Sequence, residues 1–256
     1  MSVPHKIAYP LVVEPFQEDY TSRLSWANLG NFILRVSSLH AEAHGFGYSY
    51  MQQHRRGWVI TRLVLEADHL PTTGQQYGIA TWVNRIYRQF TDRLYTLLSA
   101  EGTPIGHGFS TWALIDYATR QPVSLESLPD GGFAHVLHDE STPLSPMSRA
   151  RLSASAPCLL EHRAAFSDLD INGHVNSIRY IGLALDTFER AFHDAHRLTR
   201  IEVAYGLEGH CGDQLRVYRE DLSEGRFALE VRRAPREGES TEQLLVRLLL
   251  LFAPTA

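Results

Sequence analysis

The sequence predicts an α+β chain built as two copies of one unit, each a long helix followed by several antiparallel strands. Three observations lead there. Leu29, Phe32, Val36, Leu39 and Ala43 fall at helical spacing, and Gly45 and Gly47 follow where a helix would end. Alternating, β-rich segments come next, and this segregation favours α+β over a wound parallel sheet. After residue 158 the same order begins again, which is the mark of a tandem repeat.

Residues 9–16 read as a short strand that Pro10 and Pro15 confine to an edge or bulged course. The first helix is expected over 28–44. Strands are expected over 58–66, 76–90, 92–98 and 106–117, with turns at Pro71, Gly74 and Glu101-Gly102. Pro122, Pro129, Gly131, Gly132, Pro143 and Pro146 break every period over 119–157, so this stretch is the connection. Its length predicts that it crosses the surface of the second half. The first domain is therefore expected over 1–130 and the second over 158–256. In the second, a strand over 159–166 precedes a helix over 176–193, with Ile178, Ile181, Leu185, Phe188 and Phe192 on one face. Strands over 199–207, 213–221, 226–233 and 243–252 follow. Placing Phe166 over Tyr20 and Ile178 over Phe32 sets Leu24, Trp26 and Asn28 opposite Asp170, Asn172 and His174. On that alignment the first copy lacks both the carboxylate and the imidazole.

Of the 256 residues, 44% are apolar and 21% charged, the balance of a globular protein with a sizeable core. A net charge of −5 argues against nucleic-acid binding through bulk charge. Lys6 is the only lysine, so nearly all positive charge is arginine. Two cysteines, Cys158 and Cys211, are too few for a disulfide framework. No basic segment leads into an apolar run at the start, and the longest apolar run, 244–252, is short and carries Arg247. A cytoplasmic protein that does not span a membrane is the expectation.

The chemistry concentrates in residues 167–181, SDLDINGHVNSIRYI. Asp170, Asn172 and His174 alternate, so a strand ending here would point all three one way, and a helix starting just after would aim its N–H groups at them. Asp168, Asp170 and Asn172-Gly173 also imitate the start of a calcium-binding loop, but the twelfth position is Arg179 where a glutamate is needed. The spacings of His40 with His44 and of His135 with His138 suggest metal ligands, yet no cysteine or carboxylate set accompanies them, so no metal is assigned. Trp26, Phe32, Trp58, Trp82 and Trp112 are expected to supply core residues and some of the wall of any apolar tunnel.

LDINGHVNSIRYI, residues 169–181, resembles the signature of acyl-acyl-carrier-protein thioesterases, the plant-type family and its bacterial relatives. Residues 58–83, WVITRLVLEADHLPTTGQQYGIATWV, and 110–125, STWALIDYATRQPVSL, resemble that family's N-terminal strand blocks. Tyr205-Gly-Leu-Glu208 and Gly212-Asp213 resemble its downstream tyrosine, acidic residue and Gly-Asp turn. The resemblance implies a tandem (double) hotdog, each half a long helix wrapped by an antiparallel sheet, with an acyl-binding first half and a catalytic second half. It implies hydrolysis of fatty acyl-acyl-carrier-protein thioesters, with acyl-phosphopantetheine on the carrier protein as partner and no cofactor. An acyl-CoA thioesterase of the same fold and a non-catalytic acyl-thioester sensor stand as alternatives, and a homodimer is allowed.

On this resemblance Asp170, Asn172, His174 and Glu208 are the catalytic set. The imidazole of His174 can both accept and donate a proton, and the Asn172 amide can orient water or the carbonyl. Backbone N–H groups around Gly173 and Val175 could hold the oxyanion. Two divisions of labour stay open: Glu208 as base with His174 relaying, or Asp170 as base with Glu208 orienting. Plant members carry a cysteine directly after the acidic residue; this chain has Gly209 there, which favours direct attack by water over Cys211 as nucleophile. Arg149, Arg151, Arg179 and Arg190 are candidates for meeting the acidic carrier protein or its phosphate.

Overall fold

The computed structural model describes residues 3–128, 133–148 and 151–255. Contacts divide the chain into two units, Met1–Ser145 and Pro146–Ala256, a division that falls inside the expected connection.

In the first unit, β1 (Ile7–Val12), β2 (Arg56–Ala67), β3 (Gln76–Ile86), β4 (Phe90–Ser99) and β5 (Pro104–Asp116) form an antiparallel sheet in the order β1-β3-β4-β5-β2. The long helix α1 (Trp26–Ala43) starts where the Ser25 side chain accepts from the Asn28 N–H. It buries Leu29, Ile33 and Val36 along one stripe, as the apolar spacing requires. A chain of hydroxyls ties the helix to the sheet: Tyr95 Oη lies 2.7 Å from Ser37 Oγ on one side and 2.7 Å from Ser110 Oγ on the other. The short helix α2 (Tyr48–His54) was not expected. It buries none of its residues, so its sequence carries no apolar period to read.

The second unit repeats the topology. Strands β6 (Cys158–Arg163), β7 (His196–Tyr205), β8 (Gln214–Asp221), β9 (Arg226–Arg233) and β10 (Gln243–Pro254) run in the order β6-β8-β9-β10-β7, all antiparallel. Each unit is thus an antiparallel sheet with its helix, the hotdog fold in tandem. The expected helix over 176–193 is two helices, α3 (Arg179–Leu185) and α4 (Arg190–Ala195). The Thr187 hydroxyl donates to the Ala184 carbonyl, and the Thr187 carbonyl accepts from Arg219. Both bonds replace helical ones and end α3. Phe227 then packs edge to face on Phe188 and Phe192, Phe252 packs edge to face on Phe192, and Arg219 lies over Phe188 at 4.1 Å.

The connection does not simply cross the second half. Leu125, Leu128, Phe133 and Val136 are buried with Ala41, Phe46, Val83 and Leu114, so its first part completes the core of the first unit. Only later does it reach second-unit groups, where Glu202 accepts from Ser148 N and Glu220 from Ser153 N. Pro129, Gly131, Gly132 and Arg149 lie outside the described residues.

Candidate active site

Residues 168–176 are not a strand end running into a helix. They form a closed loop after the 3-10 turn Phe166–Asp168, pinched by a bridge between Leu169 and Val175. Asp170 N donates to the His174 carbonyl at 2.8 Å, and Gly173 N donates to the Asp170 carbonyl at 3.0 Å. The Asp170 carboxylate accepts from Asn172 N at 2.8 Å and from His174 N at 3.2 Å. Gly173 has φ +78°, a left-handed conformation glycine adopts without strain. The backbone folds around Asp170, and that fold, rather than strand alternation, sets His174 where it is.

Asp168 is buried and holds this loop from behind. Its carboxylate accepts from Ala165 N and Arg179 Nε, each at 2.8 Å, and contacts His162 Nε2 at 2.7 Å. Burial alone would raise its pKa, but these partners together lower it. A carboxylate so engaged is not a calcium ligand, and Arg179 is engaged with it. Arg190 is exposed beside Asp194, and Arg151 is exposed. The Asn176 side chain accepts from Ile178 N at 2.8 Å, just ahead of α3.

A second loop, 206–213 between β7 and β8, brings Glu208 to the first. Glu208 therefore sits beyond the strand, not on it. Val175 N donates to the Gly209 carbonyl at 2.8 Å and joins the two loops. His174 Nε2 then lies 3.4 Å from Glu208 Oε2, with the two side chains 21% and 36% exposed. The expectation that the Gly173 and Val175 N–H groups face an oxyanion is corrected here. Both donate to carbonyls within the two loops, and α3 begins too late, at Arg179, to aim its N–H groups at this corner. Buried Tyr180 sets its hydroxyl against Gly209: a Cβ added at Gly209 would lie 2.7 Å from it. Burial raises the Tyr180 pKa.

His210 was not singled out from the sequence, although it stands two residues after Glu208. Its ring lies 5.1 Å from that of His174, at an interplanar angle of 76°. Its backbone N–H donates to Asp213 Oδ2 at 2.8 Å, and its Nδ1 lies 3.1 Å from Arg236 Nη2. Asp213 grips Arg236 through two bonds of 3.0 and 2.9 Å. Burial alone would raise the Asp213 pKa, but Arg236 and the His210 N–H bring it below the usual carboxylate value. Among the described residues, His174, Glu208 and His210 offer donor atoms within 4.8 Å of one another, close enough for a cation to bridge. The Arg236 guanidinium at His210 works against a cation there. Cys211 is a free, exposed thiol.

The first unit contains the same pair of loops, in a register five residues away from the sequence alignment. Asp19 N donates to the Arg23 carbonyl, Ser22 N to the Asp19 carbonyl, and Thr21 N to the Asp19 carboxylate. Ser22 has φ +58°, in the position of Gly173. Leu24 N donates to the Pro71 carbonyl as Val175 does to that of Gly209, and Thr72 N to the Gln75 side chain as His210 N does to Asp213. Asp170, Asn172 and His174 thus correspond to Asp19, Thr21 and Arg23, and Glu208 to Leu70. The first copy keeps the carboxylate and lacks the imidazole and the glutamate, which corrects Leu24, Trp26 and Asn28 as the counterparts.

Two family matches cover most of the chain. Residues 5–127 match the acyl-ACP thioesterase N-terminal domain, and residues 154–247 match the acyl-ACP thioesterase C-terminal domain. The chain belongs to the acyl-ACP thioesterase family. Among solved structures it is similar to an acyl-ACP thioesterase from Bacteroides thetaiotaomicron, with 34% identity, a TM-score of 0.88, and coverage of 97% of this chain and 98% of that one. It is 27% identical over 163 residues to the chloroplastic palmitoyl-acyl carrier protein thioesterase of Gossypium hirsutum, covering 60% of this chain and 38% of that protein. It is 26% identical over 213 residues to the chloroplastic oleoyl-acyl carrier protein thioesterase 1 of Arabidopsis thaliana, covering 77% of this chain and 59% of that protein. The matches to these two plant thioesterases therefore span less than two thirds of their length. Among the described residues, no helix of this family member is long and apolar enough to cross a membrane.

Proposed function

We propose that this protein hydrolyses fatty acyl-acyl-carrier-protein thioesters to free fatty acid and carrier-protein thiol, by direct attack of water in the second unit. The observation that carries this reading is the His174–Glu208 pair, 3.4 Å apart and held by two loops locked to each other. Glu208 accepts a proton from water as its oxygen bonds to the thioester carbonyl carbon. The tetrahedral intermediate then expels the thiolate, which receives a proton by way of His174. Asn172, exposed at the loop tip, is positioned to orient water or substrate.

Asp170 is the anchor of the loop in this reading and not the base. Its carboxylate already accepts two backbone N–H groups, and Asp19 makes the same kind of bonds where no imidazole or glutamate accompanies it. The first unit, lacking both, serves as the acyl-binding half. Ile171 and Leu207, 87% and 56% exposed on the two site loops, offer an apolar rim for the arm that delivers the acyl group. Two free, exposed cysteines suit a reducing compartment such as the cytoplasm. A homodimer is compatible with this reading, and light scattering decides it.

The test is thiol release from acyl carrier protein and from coenzyme A bearing the same acyl chain. Turnover on the carrier-protein substrate, and a fall of about 10²–10⁴-fold in kcat for a folded Glu208→Gln variant, is the expected result. Preference for coenzyme A would replace the carrier, and full activity of Glu208→Gln would remove the assigned base.

A further inference from the structure

We propose that His210 is a catalytic residue that donates a hydrogen bond from its Nε2–H to the thioester oxygen as negative charge develops there. This rests on the hydrolysis proposed above. An oxyanion needs a donor that is already oriented before reaction, and the loop N–H groups that would be natural donors, Gly173 and Val175, are engaged by the Asp170 and Gly209 carbonyls. His210 stands where such a donor is needed. One of its ring nitrogens lies within 4.8 Å of donor atoms of both His174 and Glu208.

The tautomer follows from the partner. Arg236 Nη2 is 3.1 Å from His210 Nδ1, and a guanidinium has only N–H groups to offer. Nδ1 therefore accepts, and the proton of the neutral ring resides on Nε2. Arg236 is itself fixed by its two bonds to Asp213, and Asp213 also holds the His210 backbone N–H. The ring is thus set from behind by an aspartate-arginine pair and presents its N–H on the other edge. In the first unit the equivalent position is Thr72, so the imidazole occurs only where His174 and Glu208 also occur.

The step balances without a proton leaving His210. Water oxygen bonds to the carbonyl carbon, its proton passes to Glu208, and the carbonyl π pair moves to oxygen, where the His210 N–H meets it. When that pair returns, the carbon–sulfur bond breaks and the thiolate takes up the proton held by Glu208, by way of His174. The His210 side chain is 46% exposed, so truncating it leaves the core intact.

The experiment measures kcat and KM for thiol release from acyl carrier protein with the full chain and with His210→Ala, His210→Gln and Arg236→Met, each checked by thermal melting. His210→Ala is expected to lower kcat by about 10²-fold with KM nearly unchanged, the loss seen when one oxyanion donor is removed. His210→Gln, whose amide N–H still donates, is expected to recover at least about tenfold of that loss, and Arg236→Met to fall between wild type and His210→Ala. If wild type turns over and His210→Ala keeps kcat within about threefold, the assignment is wrong. If Gln does no better than Ala, the role is not donation and the proposal fails. Absence of wild-type turnover on any acyl thioester overturns the hydrolase reading, and this proposal with it.

Discussion

Asp19 and Asp170 close the same loop in the two units of this protein through three shared hydrogen bonds. Each N–H donates to the carbonyl four residues on, at 3.0 and 2.8 Å, and each carboxylate accepts from the N–H two residues on, at 2.9 and 2.8 Å. A bond pattern that survives where the imidazole and glutamate are missing belongs to the architecture. It explains why an aspartate heads the motif: the short carboxylate reproduces a turn in its own backbone.

The two aspartates should therefore separate loop closure from chemistry. Asp19→Ala is expected to reduce stability by about 1 kcal/mol in urea unfolding and to leave kcat unchanged. Asp170→Ala loosens the loop that holds His174, so it should lower kcat strongly while the melt shifts by a similar small amount. Equal loss of activity from both variants would contradict the anchor role.

Placing a cysteine at position 209 should harm the protein rather than create a nucleophile. A Cβ there would meet the Tyr180 hydroxyl at 2.7 Å, Val175 Cγ2 at 3.1 Å and Leu245 Cδ1 at 3.2 Å. Gly209→Cys is expected to cost about 1–3 kcal/mol of stability, in part recovered when Tyr180→Phe removes the opposing hydroxyl. Mass spectrometry of the single and double variants during turnover should find no acyl group on the introduced thiol. Accumulation of such an adduct would show that the position can act as the plant-type cysteine does.

His40 sets a pH window for stability. It is fully buried in α1, its Nε2 2.8 Å from the His5 carbonyl, and its pKa is lowered to about 3. Burial is the main cause and Arg93 adds to it; the His5 carbonyl opposes them, and His44 and His5 contribute smaller lowering. A depressed folded pKa means that the unfolded chain binds the proton first. The stabilisation of the neutral ring is complete above about 6.5 and is lost as pH falls toward about 3. Urea unfolding between pH 7 and 5 should show a slope approaching about 1.4 kcal/mol per pH unit from this group. His40→Gln should flatten that part of the curve; an unchanged slope would assign it elsewhere.

Much of the fold was legible before any coordinates, because alternation and helical spacing record which face of each element is buried. Leu29 and Val36 mark the buried stripe of α1, and each of the described strands overlaps an expected run. The break between α3 and α4 was hidden: Phe188 and Phe192 keep the helical period, while the bonds from Thr187 and Arg219 that end the helix come from its own hydroxyl and from a distant strand. The repeat was legible and its register was not. Helix α1 starts two residues after Leu24 and α3 four residues after the equivalent Val175, so the helical period does not fix how the loops correspond; their hydrogen bonds do.

The sequence by itself determined the α+β class, the duplication, and the motif with Asp170, Asn172, His174 and Glu208, because local pattern and residue type suffice for these. Only tertiary structure decided what those residues can do. Glu208 stands far from His174 along the chain, and the 3.4 Å between them exists because one hydrogen bond, Val175 to Gly209, joins two loops. The same bond engages the Val175 N–H expected to serve an oxyanion, the first loop's own turn engages that of Gly173, and the second loop brings His210, with Arg236 on it, to the corner. Which donors remain available is a matter of which hydrogen bonds the fold has already made.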